Sequence, residues 1–420
     1  MDKGEIMENL TKELIIEKLA ESLNITPAQY NDAKLKYERL KKLFEEKVSP
    51  IDVYLQGSFA LGTVIRPIKN MEEQDFDIDI VCQQLNQNQS LGEIKNEIGD
   101  ILKSTTYVRW LEEEGRRCWT LNYNDGDGEG LHMDILPCVD ESLSKIFELK
   151  HQAVRPDLVD TAIKITHKEE DSLYVQRTSN PRGLIKWFNE VSLQTYSEDI
   201  IHDKVKLFRK YGDYFRFNLG YTSANDVEDY FVKTPLQKTI QILKRHRDVM
   251  FSGKPNEEYK PISAIITVLV TKIAENNIGN IHSTYDLLDI VVNTINEYSQ
   301  LTTDGVDSGF LNMENRLIEK LPNCQGWRIE NPTNPGENLA DRWHEDSNAR
   351  ARAFFEWIDS VSSHLRLIVE NLELDKLKPI LAFNFGRETA NETHRLCEKV
   401  LSEISTSNNI QPIKPWKDVC

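Results

Sequence analysis

The sequence predicts an α+β protein, on three observations. Between residues 51 and 181, short apolar or alternating runs bounded by Gly, Asn, Asp and Pro read as strands. Before residue 51 and after residue 181, longer runs with apolar residues three and four apart read as helices. One segment, FDIDIV at 76–81, alternates apolar and acidic residues strictly, the pattern of a half-buried strand. A chain of 420 residues is long enough for one or two domains with sizeable cores. The expected division is N-terminal spine helices over 1–50, a mixed sheet with flanking helices over 51–181, a helical domain over 182–401 and a mobile tail over 402–420.

Residues 6–23 read as a first helix of mixed apolar and charged residues. A second, longer helix has Thr26 as N-cap and Pro27 at its first position. Tyr30, Ala33, Tyr37, Leu40 and Phe44 make its buried stripe. Ser49-Pro50 ends it, and Val53–Leu55 is a short strand leading into Gly57-Ser58. After the acidic strand, Asn86–Ser90 is a polar turn and Leu91–Leu102 a helix. Tyr107–Trp110 and Cys118–Tyr123 are expected strands around the charged turn LEEEGRR. The turn NDGDGEG at 124–130 precedes the strand LHMDILPCV at 131–139. Further on, Lys186–Val191, Leu236–Phe251, Ile262–Ala274, Thr284–Glu297 and Ala349–Glu373 are helical, the third of them apolar nearly all round and therefore buried.

Composition narrows the function classes. With 39% hydrophobic and 28% charged residues, the chain is an ordinary globular one. Its longest apolar run, AIITVLV at 264–270, is far too short to span a bilayer, and MDKGEIMENL lacks the shape of a signal peptide. A cytoplasmic protein is expected. Six scattered cysteines without a CxxC pair read as free thiols rather than zinc ligands. A net charge of −17 opposes stable binding to nucleic acid.

The chemistry-bearing stretch runs from Tyr54 to Val81. On a strand Asp75, Asp77 and Asp79 share one face while Phe76, Ile78 and Ile80 share the other. Carboxylates roughly 7 Å apart repel one another unless cations lie among them. Hard oxygen ligands of this kind suit Mg²⁺ bound together with substrate phosphates. Upstream, Gly57-Ser58 can offer backbone N–H groups and a hydroxyl to a phosphate. Asp134 lies inside an apolar strand, where a lone carboxylate is costly, and that strand can pair beside the acidic one. Three carboxylates beside a phosphate-holding turn are what two-metal phosphoryl transfer requires. Parity alone leaves open which of Asp75, Asp77 and Asp79 bind metal.

QGSFALGTVIRP, FDIDIV and HMDILP together resemble the nucleotidyltransferases of DNA polymerase beta type. More closely, they resemble the bacterial oligonucleotide cyclases related to cyclic GMP–AMP synthase and oligoadenylate synthetase, which act in anti-phage CBASS systems. The resemblance implies a polymerase-beta-like mixed sheet with a spine helix and an oligoadenylate-synthetase-like helical domain. It implies Asp77, Asp79 and Asp134 as catalytic ligands of two Mg²⁺ ions, with Mn²⁺ as an alternative, and Asp75 as a neighbouring acid. Gln56, Gly57 and Ser58 become nucleotide-binding residues. LQKTIQILKRHRD resembles the family's central helix, which assigns Lys244 to the triphosphate, and KPISAIITVLVT assigns Ser263 to the same phosphates. Lys244, Arg245, His246 and Arg247 are expected to face the phosphate pocket as a basic exception in an acidic protein. ENPTNPGENLADRW at 330–343 resembles a strip near the nucleotide base.

The function implied is template-independent joining of NTPs, ATP or GTP foremost, into a cyclic di- or trinucleotide with release of pyrophosphate. The alternatives are an RNA-tailing or tRNA-end nucleotidyltransferase, which needs a basic groove that the charge opposes, and a catalytically inactive nucleotide-binding module. The family also implies partners: an operon-encoded regulator, or a ubiquitin-like conjugating enzyme acting on the C-terminal IQPIKPWKDVC. No membrane partner is expected.

Overall fold

The structure is a computed structural model, and it describes residues 11–69, 72–85, 90–123, 130–170, 173–196, 200–303, 305–309, 316–322 and 326–408. Two helices come first. Helix α1 (Lys12–Ser22) starts at Thr11, whose hydroxyl accepts from the Leu14 N–H. Helix α2 (Pro27–Lys47) begins with a reciprocal capping box between Thr26 and Gln29 and has Pro27 at its first position. Residues 6–10 of the expected 6–23 helix lie outside the described residues, and the described helix starts at Lys12.

A short strand β1 (Ile51–Gln56) runs straight into a single helical turn, α3 (Gly57–Ala60). An extended loop and the small hairpin of β2 (Ile68–Lys69) and β3 (Glu72–Glu73) lead to the acidic strand β4 (Phe76–Gln84). Helix α4 (Leu91–Lys103) has a capping box between Ser90 and Glu93. It is followed by β5 (Trp119–Asn122), β6 (Leu131–Asp140), α5 (Leu143–Gln152), β7 (Ile163–Glu170) and β8 (Leu173–Ser179). The mixed sheet has the order β1-β4-β6-β7-β8. β4 and β6 are parallel, and β5 and β7 share the far edge of β6, the first along its beginning and the second along its end.

Two expectations are corrected. Thr106–Arg109 is a 3-10 turn rather than a strand, and only Leu111 bridges across to Leu121. Trp110 packs on Tyr123 with ring centroids 4.7 Å apart. The pair β7–β8 has no counterpart in the sequence reading. ITHKEE and LYVQRTS are polar stretches, the second of them the edge strand, whose alternation is blurred by Lys, Glu and Arg.

The helical half comprises α6 (Pro181–Gln194), α7 (Ile200–Leu219), α8 (Pro235–Phe251), α9 (Ser263–Asn276), α10 (Thr284–Asn296), α11 (Ala349–Glu370), α12 (Leu374–Phe385) and α13 (Arg387–Asn408). The expected 349–373 helix therefore stops at Glu370. The expected tail is corrected as well: 402–408 continue α13, and 409–420 lie outside the described residues. The turn at 86–89 and residues 124–129 of NDGDGEG lie outside them too.

Apolar side chains gather into two principal cores. One joins Ala33, Leu40 and Phe44 of α2 and Ile98 and Leu102 of α4 to the underside of the sheet, where Ile78, Ile80, Met133 and Ile135 are fully buried. Each such aliphatic side chain contributes roughly 1.5–3 kcal/mol, which fixes the parity of β4 and β6. The other gathers α6 and α8–α13 around Trp187, Trp327 and Trp357, and it takes in α1 through Ile15, Ile16 and Leu19. The two N-terminal helices thus pack on different cores. Among the described residues no helix is long and apolar enough to cross a membrane.

Candidate active site

Because β4 and β6 pair parallel and in register, Asp79 lies directly opposite Asp134, and Asp77 opposite His132. On the outer sides Gln56 of β1 lies opposite Asp79, and Thr120 of β5 opposite Asp134. Gln56, Asp79, Asp134 and Thr120 therefore form one row across four strands, on the face turned away from the Ile78–Ile80 core. Two aspartates 55 positions apart in sequence thus meet on adjacent strands.

Each carboxylate of the trio has its own neighbour. Thr120 donates its hydroxyl proton to Asp134 Oδ1 at 2.6 Å. His132 Nδ1 lies 3.3 Å from Asp77 Oδ1. Asp79 lies against Gly57, whose φ of +63° is in the left-handed region, and a Cβ there would run into the Asp79 carboxylate. Glycine is thus required by both the turn and the close approach. Asp75 stands in the same relation to Gly130, outside the row and against the backbone that opens β6.

The electrostatics follow from burial. Asp79 is pushed up to about 7, first by desolvation and then by the charges of Asp134 and Asp77, with Lys244 pulling the other way. Asp134 is also raised by burial, against which the Thr120 hydrogen bond works. His132 is raised by its hydrogen bond to Asp77, against a burial effect of opposite sign. Among the described residues, no three His, Cys, Asp or Glu side chains converge as a ready-made cation cage. The donor set nevertheless fits a hard divalent cation: oxygen ligands only, adjacent, and carrying negative charge that the protein leaves under-compensated at Asp79.

The loop after Gly57-Ser58 is held by α8. Four carbonyls of this loop, which has no ladder of its own, accept from α8 side chains. Gln237 donates to Leu61 O (2.9 Å), Lys244 to Thr63 O (3.1 Å), Gln241 to Val64 O (2.8 Å) and Arg245 to Arg66 O (3.0 Å). Thr63 N–H in turn donates to Ser58 O at 2.9 Å, so the phosphate turn and Lys244 are two hydrogen bonds apart. Burial lowers Lys244 to about 8, and it feels Asp79 and Asp77 electrostatically.

The expectation that residues 244–247 face one pocket does not hold. Four consecutive residues wrap most of the way round a helix, and α8 is packed on all sides. Arg245 pairs with Glu73 at 2.8 Å. His246 is bonded to His364 (2.8 Å) and accepts from Trp357 Nε1 (3.1 Å), and burial pushes it down to about 3, so it is neutral. Arg247 reaches Asp248, Pro261 O and Ser263. Only Lys244 is directed to the acidic end. Ser263 opens α9, whose N-cap Ile262 supplies no side-chain cap.

The 330–343 strip forms the turn Glu330–Asn331 with Asn334–Asn338 and docks on β8: Asn334 donates to Thr178 Oγ1, and Ser179 to Glu337. Sequence reasoning missed Thr120, His132, Gln237 and Gln241. His132 was findable, since it shares the parity of Asp134; Thr120 was not, because only the sheet register places it beside Asp134.

The sheet carries an acidic row beside a Gly-Ser turn, with a lysine from α8 near it, as the resemblance to nucleotidyltransferases implies. Residues 51–137 match the family described as the nucleotidyltransferase domain of DncV-like cyclic GMP–AMP synthases. A c-di-GMP synthase of Roseivirga ehrenbergii is 26% identical over 338 residues, covering 78% of this chain and 71% of the relative. The fold is shared with the Bradyrhizobium diazoefficiens CD-NTase CdnG solved with GTP, at a TM-score of 0.65 and 17% identity over 92% of this chain and 99% of that one. It is shared also with Vibrio cholerae DncV in its 3′-deoxy GTP form, at 0.52 and 13% identity over 89% and 94% of the two chains.

Proposed function

We propose that the protein is a template-independent, metal-dependent nucleotidyltransferase that joins NTPs, GTP among them, into a cyclic di- or trinucleotide signal and releases pyrophosphate. The observation that carries this reading is the row formed by Gln56, Asp79, Asp134 and Thr120, with Asp77 beside it and Gly57-Ser58 at its end. The 26% identical relative named as a c-di-GMP synthase supports the cyclic product and GTP as a substrate.

Asp77, Asp79 and Asp134 would hold two Mg²⁺ ions. When bound, such ions neutralise charge on the triphosphate and lower the pKa of the acceptor hydroxyl. Gln56, Gly57 and Ser58 bind the donor triphosphate from the sheet side, while Lys244 and Ser263 bind it from the helical side. Lys244, buried and lowered, gains most from an anionic partner because its charge is otherwise poorly solvated. The α-phosphate is held for in-line attack by a ribose hydroxyl of the second nucleotide, and the linear intermediate closes in the same pocket. A role in anti-phage signalling follows from the family resemblance.

The test is incubation of the purified chain with all four NTPs and Mg²⁺, with mass spectrometry of phosphatase-resistant products. A cyclic product is expected from the wild type and from Asp75→Asn, and none from Asp77→Asn/Asp79→Asn. Extension of added RNA would make it a tailing enzyme. NTP binding without any product would make it an inactive nucleotide-binding module.

A further inference from the structure

Arg247 is six per cent exposed and lies one helical turn beyond Lys244 on α8. Its guanidinium is fully engaged on three sides. Nε and Nη2 both donate to Asp248 Oδ1, at 3.0 and 2.7 Å, and Nη1 donates to Pro261 O at 2.9 Å. The same Nη1 donates to Ser263 Oγ at 3.1 Å. Asp248 is one per cent exposed, its Oδ1 also lies 3.6 Å from Lys260 Nζ, and its Oδ2 has no hydrogen-bond partner. A network of this kind is costly to bury and is retained where geometry matters.

Its consequence falls on Ser263. A hydroxyl has one proton and two lone pairs. With one lone pair taken by a guanidinium N–H, repulsion from that cation turns the proton away from Arg247. The adjacent positive charge also makes the hydroxyl a better donor. Ser263 is partly exposed and opens a 14-residue helix that has no side-chain cap, so its surroundings favour an anion. Lys244 feels the charges of Arg247 and Asp248 and also those of Asp79 and Asp77, so the network and the acidic row share this lysine as a neighbour.

We propose that Arg247, pinned by Asp248, is a positioning residue for the nucleotide: it holds the Ser263 hydroxyl so that its proton is presented to the phosphates of the bound NTP. The inference rests on the nucleotidyltransferase reading above. α8 then supports both walls of the phosphate pocket, the Gly57-Ser58 turn through Gln237, Gln241 and Lys244, and Ser263 through Arg247.

A double-mutant cycle tests it, read by calorimetric titration of a non-hydrolysable GTP analogue with Mg²⁺ into the full chain. The variants are Ser263→Ala, Arg247→Lys and the two combined. Lysine keeps the charge but cannot hold Asp248, Pro261 O and Ser263 together. Ser263→Ala and Arg247→Lys are each expected to weaken binding about tenfold, the worth of one hydrogen bond to a charged group. The combined variant is expected to be no weaker than either alone. In turnover, KM rises with kcat nearly unchanged. Asp248→Asn, close in shape, carries the same cycle if Arg247→Lys does not fold, and thermal melts decide that. Losses that multiply to about a hundredfold in the combined variant, or no loss in Ser263→Ala, would overturn the positioning role while leaving the enzyme reading intact. No binding by the wild type would overturn both.

Discussion

At the scale of single residues, the site trades stability for charge. Asp79 titrates near 7 in the fold against an ordinary value of 3.8, because burial and two neighbouring carboxylates disfavour its ionised form. Without a cation, the unfolded chain releases this proton more readily than the fold does. The folded state therefore loses stability as pH rises from about 4 to about 7, by up to a few kcal/mol. Asp79→Asn removes the penalty. In chelator-treated protein at pH 8, the variant is expected to melt a few degrees above wild type, and at pH 4 the difference should vanish. Added Mg²⁺ should stabilise wild type and leave the variant unmoved. A variant that melts lower at pH 8 would mean that the carboxylate is structural. Thr120 acts on the same charge from the other side, since its proton occupies Asp134 Oδ1. Thr120→Val keeps the shape of the side chain and is expected to raise the Mg²⁺ concentration for half-maximal activity about tenfold, the usual cost of losing a hydrogen bond behind a metal ligand. The check is a Mg²⁺ titration at saturating NTP, paired with Mn²⁺-dependent thermal shift.

At the scale of elements, β4 was legible and α8 only half so. The parity of Phe76, Ile78 and Ile80 against Asp77 and Asp79 fixes a strand from local information, and the structure buries the three apolar residues, exposes Asp77 and leaves Asp79 half-buried. The apolar spacing of Leu236, Ile240 and Leu243 likewise marks α8 as a helix. What its polar residues do cannot be read from 235–251, because their acceptors are carbonyls about 175 residues upstream, and a solvated basic face has the same sequence. The 3-10 turn at Thr106–Arg109 differs from the expected strand for a related reason: Tyr, Val and Trp favour strands, but the chain meets the edge of β5 only beyond the turn, at Trp110 O and the Leu111–Leu121 bridge. Gln241 shows what the clamp is worth. It is one per cent exposed and donates both to Val64 O and, at 3.1 Å, to Asn24 Oδ1. Gln241→Leu removes the donor to the buried Val64 O and to the half-buried Asn24 Oδ1, so a loss of about 1–3 kcal/mol is expected in urea denaturation, together with a raised KM for NTP. Unchanged KM with lowered stability would mean that the loop is held well enough by Gln237, Lys244 and Arg245.

At the scale of the molecule, the two cores meet where the nucleotide is proposed to bind. Ser58 and the acidic row ride on the sheet core with α2, whereas Lys244 and Ser263 ride on the helical core with α1. The polar clamp between α8 and residues 61–66 is a direct tie between them, and α6 adds another through the Arg182–Asp52 pair at 2.6 Å. A ligand that touches both walls adds a cross-link, and one that binds only the folded state stabilises it by about 2.7 kcal/mol at a hundred times its Kd. That stabilisation should appear on both sides of the cleft at once. In hydrogen exchange with a non-hydrolysable GTP analogue and Mg²⁺, slowed exchange is expected at 57–64 and in the first turns of α9, while α13, remote from the cleft, exchanges as before. Mg²⁺ alone should protect β4 and β6 around the acidic row without slowing α9. Protection confined to the sheet side in the presence of nucleotide would mean that Lys244 and Ser263 do not reach the phosphates, and the helical half would then be a scaffold rather than a wall of the site.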